Sequence, residues 1–252
     1  MDSSPCLALV SGTGSVLPAL EHTLELALED TPFGAPSAGL VQGVLAGCRV
    51  MYLPRHGSAH QLAPHRINYR ANIWRLREAG VTHIVAVNTV GGIHPAAKPG
   101  SLWLPDNLID YTYGRAHSLY DGEIFELRHQ EFACPYNPAL RQLLLEAAAT
   151  ADIRLHDGGV YGCTQGPRLE TAAEIRRMAQ DGCDLVGMTG MPEAALAAEA
   201  GMAYASIAPV VNPAAGLSDR PITLDDIMRQ AALCHTQIQQ LLPVVAASLL
   251  NG

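Results

Sequence analysis

Arg55 and His56 stand side by side where an apolar run, Met51 to Leu53, gives out. A guanidinium is a forked, permanently charged donor matched to phosphate oxygens, and an imidazole adds a second donor. Alone, such a pair is an ordinary surface turn. It gains weight from other segments that also end β-like runs: Gly12-Thr13-Gly14, Asn88-Thr89, Met188-Thr189-Gly190 and Asn212. Each offers a side-chain or backbone hydrogen-bond donor. Thr189 also precedes a helix expected from Met191, where free N–H groups and the helix dipole favour an anion.

A second group suits a planar, polar ligand. Glu170 lies in Gln165-Gly166-Pro167-Arg168-Leu169-Glu170-Thr171, a stretch that interrupts two regular elements. Asn212 follows the apolar run Ile207-Ala208-Pro209-Val210-Val211 and precedes Pro213. Each has a plain structural explanation on its own. An acidic residue is favourable in a first helical turn, and asparagine is common where a strand ends in a turn.

The elements that must position these groups alternate along the chain. Strands are expected at Leu7 to Val10, Arg49 to Leu53, His83 to Val87, Leu108 to Tyr111, Gly159 to Cys163, Leu185 to Gly187 and Ala203 to Val211. Helices are expected over Tyr69 to Ala79 (Asn68 as N-cap, Gly80 beyond the end), Asn137 to Ala149, Thr171 to Gln180, Met191 to Ala200 and Leu224 to Leu250. Strands alternating with helices imply an α/β sheet covered on both faces, with ligands beyond the strand ends where loops converge. No linker, repeat or low-complexity tract divides the chain, so a single domain over 1–252 is expected.

Composition narrows the function classes. The chain has 252 residues, 48% hydrophobic and only 16% charged, enough for a sizeable core and for apolar subunit contacts. A net charge of −8 argues against nucleic acid or an anionic membrane as partner, while leaving room for a local basic pocket. The six cysteines show no Cys-x-x-Cys spacing, and Met1-Asp2-Ser3-Ser4-Pro5 does not read as a secretory leader, so a cytoplasmic protein with reduced thiols is expected. His56 and His60 are separated by Gly57 and do not form a helical metal pair; no metal is expected.

In order along the chain, these segments resemble the purine nucleoside phosphorylase superfamily, above all its trimeric methylthioadenosine phosphorylase branch. The matching pieces include Gly12-Thr13-Gly14, Asp30-Thr31-Pro32-Phe33-Gly34, Arg55-His56-Gly57 and Asn68-Tyr69-Arg70-Ala71-Asn72-Ile73-Trp74. They continue with Lys98-Pro99-Gly100-Ser101, Tyr120-Asp121-Gly122, Gly166-Pro167-Arg168, Met188-Thr189-Gly190-Met191-Pro192-Glu193 and Tyr204-Ala205-Ser206-Ile207-Ala208. The resemblance implies a central mixed β-sheet flanked by helices, a homotrimer, and inorganic phosphate as cosubstrate with no organic cofactor. It places phosphate on Thr13, Arg55, His56, Asn88, Thr89 and Thr189. It sets Met188 against the ribose and His60 and His129 toward the 5′ side of the sugar, His129 by reaching into a neighbouring subunit.

One departure from that branch bears on the substrate. Where the branch carries a pair of aspartates for the adenine 6-amino group and N7, this chain has Asn212 and Ala214, and Glu170 replaces a small polar residue. Both changes resemble phosphorylases acting on inosine and guanosine. A 6-oxopurine offers a protonated N1 to the Glu170 carboxylate and acceptors at O6 and N7 to the Asn212 amide. The adenine N1 is a bare lone pair and would face Glu170 without a hydrogen. The resemblance therefore implies phosphorolysis of 5′-methylthioinosine to hypoxanthine and 5-methylthioribose 1-phosphate, with Glu170 and Asn212 as catalytic residues. The alternatives are a general inosine/guanosine phosphorylase, a methylthioadenosine phosphorylase, and a non-catalytic nucleoside sensor, which would need no phosphate donors.

Overall fold

The computed structural model describes residues 4–12, 18–219 and 221–251, so Thr13 lies outside the described residues. Its centre is the strand β1 (Cys6–Ser11), buried along its whole length. Strands covered on both faces read as continuous apolar runs rather than alternating ones, which is what Leu7-Ala8-Leu9-Val10 shows. β1 pairs in parallel with β4 (Cys48–Pro54) on one side and β5 (His83–Val87) on the other. Beyond β4, the antiparallel strands β3 (Val41–Leu45) and β2 (Glu21–Glu25) extend the sheet to an exposed edge.

The other half is joined through β12 (Ala203–Pro213). Its first residues pair in parallel with β5, and its last with β6 (Val90–Gly92), past an irregularity between Val210 and Asn212. In between, Ala208 and Pro209 pair with β7 (Leu102–Leu104). Pro209 has no N–H to give, and it sits where the strand changes partners. From β6 the sheet continues through β11 (Leu185–Gly187) and β10 (Val160–Cys163) to β8 (Asn107–Asp110), while β9 (Leu155–Asp157) flanks β7. The sheet is mixed, as expected: β6 and β11 are antiparallel, and the strands around β1 are parallel.

Alternation sends side chains to two cores. Ala8, Val10, Ile84, Ala86 and Tyr204 pack under α1 (Tyr69–Glu78) and α4 (Glu193–Glu199). Leu7, Leu9, Val85, Ala205 and Ile207 pack under α2 (Pro138–Thr150) and the long α5 (Leu224–Asn251). A smaller cluster holds α3 (Ala172–Gln180) through Ile175 and Met178. The expected helix from Met191 starts two residues late, at Glu193. None of the described helices is long and apolar enough to cross a membrane.

Two helix starts fix the loops nearest the strand ends. Thr171 accepts from the N–H of Glu174 while the Glu174 carboxylate takes the Thr171 N–H, a reciprocal capping box for α3. Glu170 therefore precedes the cap instead of lying in the first turn. Asn68 caps α1 by accepting from the Ala71 N–H at 3.1 Å, and its amide also donates to the carbonyls of Phe33 (2.7 Å) and Ala35 (3.2 Å). Replacing Asn68 with Ala should lower unfolding free energy by about 2 kcal/mol, a cap plus neutral hydrogen bonds. Asn68→Asp should lose less, because the cap survives. Urea denaturation of both variants checks this; equal losses would show that capping contributes nothing.

Candidate active site

Four parallel strands, β4, β1, β5 and β12, and the nearby β11 deliver their carboxyl ends to one region, and a cavity open to solvent lies there. Its walls include Gly12, Arg55, His56, Thr89, Met188, Thr189, Glu170, Asn212 and Ala214. Most of the residues singled out in the sequence thus face one space, though they come from distant parts of the chain.

Arg55 leaves β4 buried, with no exposed surface. Its Nε donates to Glu193 Oε2 at 2.6 Å and its Nη2 to Glu193 Oε1 at 2.8 Å, a bidentate pair. Nη2 also reaches the Val10 carbonyl (3.3 Å) and Nη1 the Val87 carbonyl (3.1 Å). Burial opposes the charge on Arg55, but Glu193 more than offsets it, and the guanidinium is held above its ordinary pKa. Four N–H bonds of Arg55 are thus engaged by described residues, and the remaining Nη1 edge lies beside Gly12. Arg55 is first a structural cation, and only that edge remains for a ligand.

His56 differs from the expected second donor. Its Nδ1 lies 2.7 Å from the Leu62 carbonyl, which can only accept, so Nδ1 carries the hydrogen and Nε2 is left as an acceptor. Burial pushes the ring pKa down to about 4, with the Leu62 carbonyl opposing that shift and Arg55 reinforcing it. At neutral pH the ring is uncharged. The turn that presents it needs Gly57, whose φ of +83° is one that side-chain-bearing residues avoid.

Thr189 lies at the cavity wall, and Asn88 stands behind it rather than on the wall. The Asn88 Nδ2 donates to Thr189 Oγ1 at 2.8 Å, and the Ser206 hydroxyl donates to Asn88 Oδ1 at 2.8 Å. The expectation that Thr189 sits at a helix start is corrected. α4 begins four residues later, and its first residue is the buried Glu193 that pairs with Arg55. A buried carboxylate there takes the place of an open anion site.

Glu170 is also on the cavity wall, and its Oε1 accepts from the Thr164 hydroxyl at 2.6 Å, leaving Oε2 without that donor. Glu170 also borders a neighbouring cleft with Thr164, Gln165 and Arg168. The Asn212 amide donates one hydrogen to the Pro213 carbonyl at 2.6 Å and has a second to offer. Ala214, buried, adds no polar group, and Ile222, Leu224 and Ile227 make the remaining wall apolar. His60 is not on the wall; it is exposed and its ring rests against His56, with centroids 4.5 Å apart. His129 is exposed and also off the wall.

Sequence reasoning missed the residues that hold the site from behind. Glu193 was visible only as an acidic residue in a helical turn, and nothing local marks it as buried. Arg115, in an irregular stretch after β8, donates to the carbonyls of Thr164 (3.2 Å), Gln165 (2.9 Å), Met188 (3.0 Å) and Met191 (2.5 Å). It binds the segment that leads to Glu170 to the segment that carries Met188 and Thr189.

A family model described as "Phosphorylase superfamily" matches residues 7–247. A protein of Pseudomonas syringae pv. tomato named "Probable S-methyl-5'-thioinosine phosphorylase" is 52% identical over 221 residues, 87% of this chain and 89% of that one. The 6-oxopurine nucleoside phosphorylase of Pyrococcus furiosus is 42% identical over 229 residues, 89% of this chain and 85% of its own. Among solved structures, methylthioadenosine phosphorylase from Schistosoma mansoni in complex with adenine superposes with a TM-score of 0.92 at 30% identity, covering 97% of this chain and 91% of that one.

The buried pair gives a test. Removing one partner leaves an uncompensated charge in the interior, so Glu193→Ala should cost about 3–5 kcal/mol of stability. Glu193→Gln, which keeps one acceptor oxygen, should cost less. Guanidinium denaturation measures both, and a Glu193→Ala variant within 1 kcal/mol of wild type would mean that the pair is not what holds this region.

Proposed function

The chain belongs to the phosphorylase superfamily and is a nucleoside phosphorylase, and from that premise we propose that it cleaves 5′-methylthioinosine with phosphate. The products are hypoxanthine and 5-methylthioribose 1-phosphate. The observation that carries this reading is the shared cavity wall of Glu170 and Asn212, with Ala214 where a second acid would be needed for adenine. Oε2 of Glu170 takes the N1 hydrogen of a 6-oxopurine, and the second amide hydrogen of Asn212 goes to O6 or N7.

The phosphate lies against Thr89, Thr189, His56 and the Arg55 edge, with Asn88 acting through Thr189; Thr13, expected beside them, lies outside the described residues. As the C1′–N9 bond breaks, the sugar gains oxocarbenium character and the purine gains negative charge, which Glu170 and Asn212 hold through their hydrogen bonds. A phosphate oxygen then bonds to C1′, aided by its fixed position beneath the sugar. Met188 packs against the ribose. Ile222, Leu224 and Ile227 favour a methylthio group over a hydroxyl, because an unpaired hydroxyl against an apolar wall loses its hydration. The proposal extends to a cytoplasmic homotrimer in which His129 of one copy serves the sugar site of the next; Tyr113 and Leu127, in the same segment, are 70% and 59% exposed in the single chain.

Polar mismatch in a buried site discriminates on the order of 10⁴, so methylthioinosine should exceed methylthioadenosine in kcat/KM by at least about a hundredfold. Turnover should require phosphate. Comparable values for the two nucleosides would mean that Glu170 does not touch the base, and equal turnover without phosphate would make the protein a hydrolase.

A further inference from the structure

Ser206 is 1% exposed and lies in β12, paired across the strand with Ala86, outside the cavity wall. Its hydroxyl donates to Asn88 Oδ1 at 2.8 Å, and Asn88 Nδ2 donates to Thr189 Oγ1 at 2.8 Å. Asn88 is likewise 1% exposed, so no solvent competes for this chain of bonds. Its direction matters because Thr189 faces the cavity. With one lone pair taken by Asn88, the Thr189 hydroxyl keeps its own hydrogen for a ligand.

An asparagine amide between hydroxyl groups could in principle turn half a revolution and reverse both bonds. Thr189 would then donate backwards to Asn88 and present only lone pairs to the cavity, repelling an anion. The reversed arrangement leaves the Ser206 hydrogen without an acceptor, since among the described residues Ser206 Oγ has no other partner. Leaving a buried hydroxyl unsatisfied is unfavourable, and that fixes the amide one way. Tyr161 stands beside the Thr189 side chain as well as its backbone: burial keeps the phenol protonated, its oxygen takes the Thr189 N–H at 3.4 Å, and its hydrogen can go to the second lone pair of Thr189 Oγ1, which leaves the Thr189 hydrogen for the ligand.

We infer that Ser206 is a positioning residue which, by orienting Asn88, makes the Thr189 hydroxyl a donor to the bound phosphate. This rests on the phosphorolytic reading above. It complements His56, whose Nε2 is an acceptor, so the site presents a donor from Thr189 and an acceptor from His56 to a monohydrogen phosphate, which carries both acceptor oxygens and one hydrogen.

The test is a steady-state comparison of wild type, Ser206→Ala, Thr189→Val and the double variant, with phosphate and nucleoside varied separately. Ser206→Ala should raise the phosphate KM about fivefold, the worth of one hydrogen bond, and leave the nucleoside KM unchanged. In the Thr189→Val background the same change should add nothing, because the hydroxyl it orients is gone. Where the double variant is too slow to assay, the split between the two KM values decides. Ser206→Cys, close in size and a weak donor, should give an intermediate phosphate KM, and it carries the test if the alanine variant fails to fold. An unchanged phosphate KM, a parallel rise in both KM values, or the same effect in both backgrounds would overturn the assignment. A wild-type enzyme indifferent to phosphate would instead overturn the functional reading.

Discussion

The buried pair between Arg55 and Glu193 is the interaction on which the rest of this structure depends. Through it the end of β4 is tied to the start of α4, and the same guanidinium binds the Val10 carbonyl near the end of β1 and the Val87 carbonyl at the end of β5. Tyr204 of β12 donates to the same carboxylate at 2.9 Å. Strand ends that would otherwise splay are thus gathered around one cation. Taking two charges out of water is unfavourable, and the pair is sustainable only because nearly every remaining donor and acceptor finds a partner. A lysine could not do this, since it has one point charge and no fork.

That constraint shapes the site in front of it. Because Arg55 is largely committed to Glu193 and backbone carbonyls, the ligand-facing polarity comes from smaller groups whose hydrogen-bond directions are set from behind. His56 is fixed by Leu62 with its acceptor nitrogen left over, and Thr189 by Asn88. Arg115 performs the same service for the backbone, holding the Gln165 and Met188 segments together through their carbonyls. Glu170 and Asn212, on the same cavity wall, are each held by one neighbour and keep one group uncommitted. Preorganised donors and acceptors of this kind favour a charged transition state without rearrangement during reaction.

The sequence made the strand ends legible because buried parallel strands announce themselves as apolar runs, and chemistry-bearing residues follow them directly. Arg55, His56, Thr189 and Asn212 were found that way, Glu170 came from the irregular stretch 165–171 and the family resemblance, and all five line one cavity. The short strands β6, β7 and β9 were missed, and so were β2 and β3, which lie toward the exposed edge. The roles of Glu193, Ser206 and Arg115 were not legible either. Arg55, Asn88 and Thr164, the partners that define those roles, lie more than forty residues away in sequence, and no local pattern marks a carboxylate or hydroxyl as buried. The tautomer of His56 required the Leu62 carbonyl, which only the folded turn supplies.

The central claim is that one cavity seats a 6-oxopurine against Glu170 and Asn212 and phosphate against Thr189 and His56. A crystal structure with hypoxanthine and phosphate bound tests it most directly. The account predicts the Glu170 carboxylate within hydrogen-bonding distance of N1, the Asn212 amide at O6 or N7, and a phosphate oxygen at Thr189 Oγ1. Hypoxanthine bound away from Glu170, or phosphate seated outside the Thr189 and His56 end of the cavity, would contradict it.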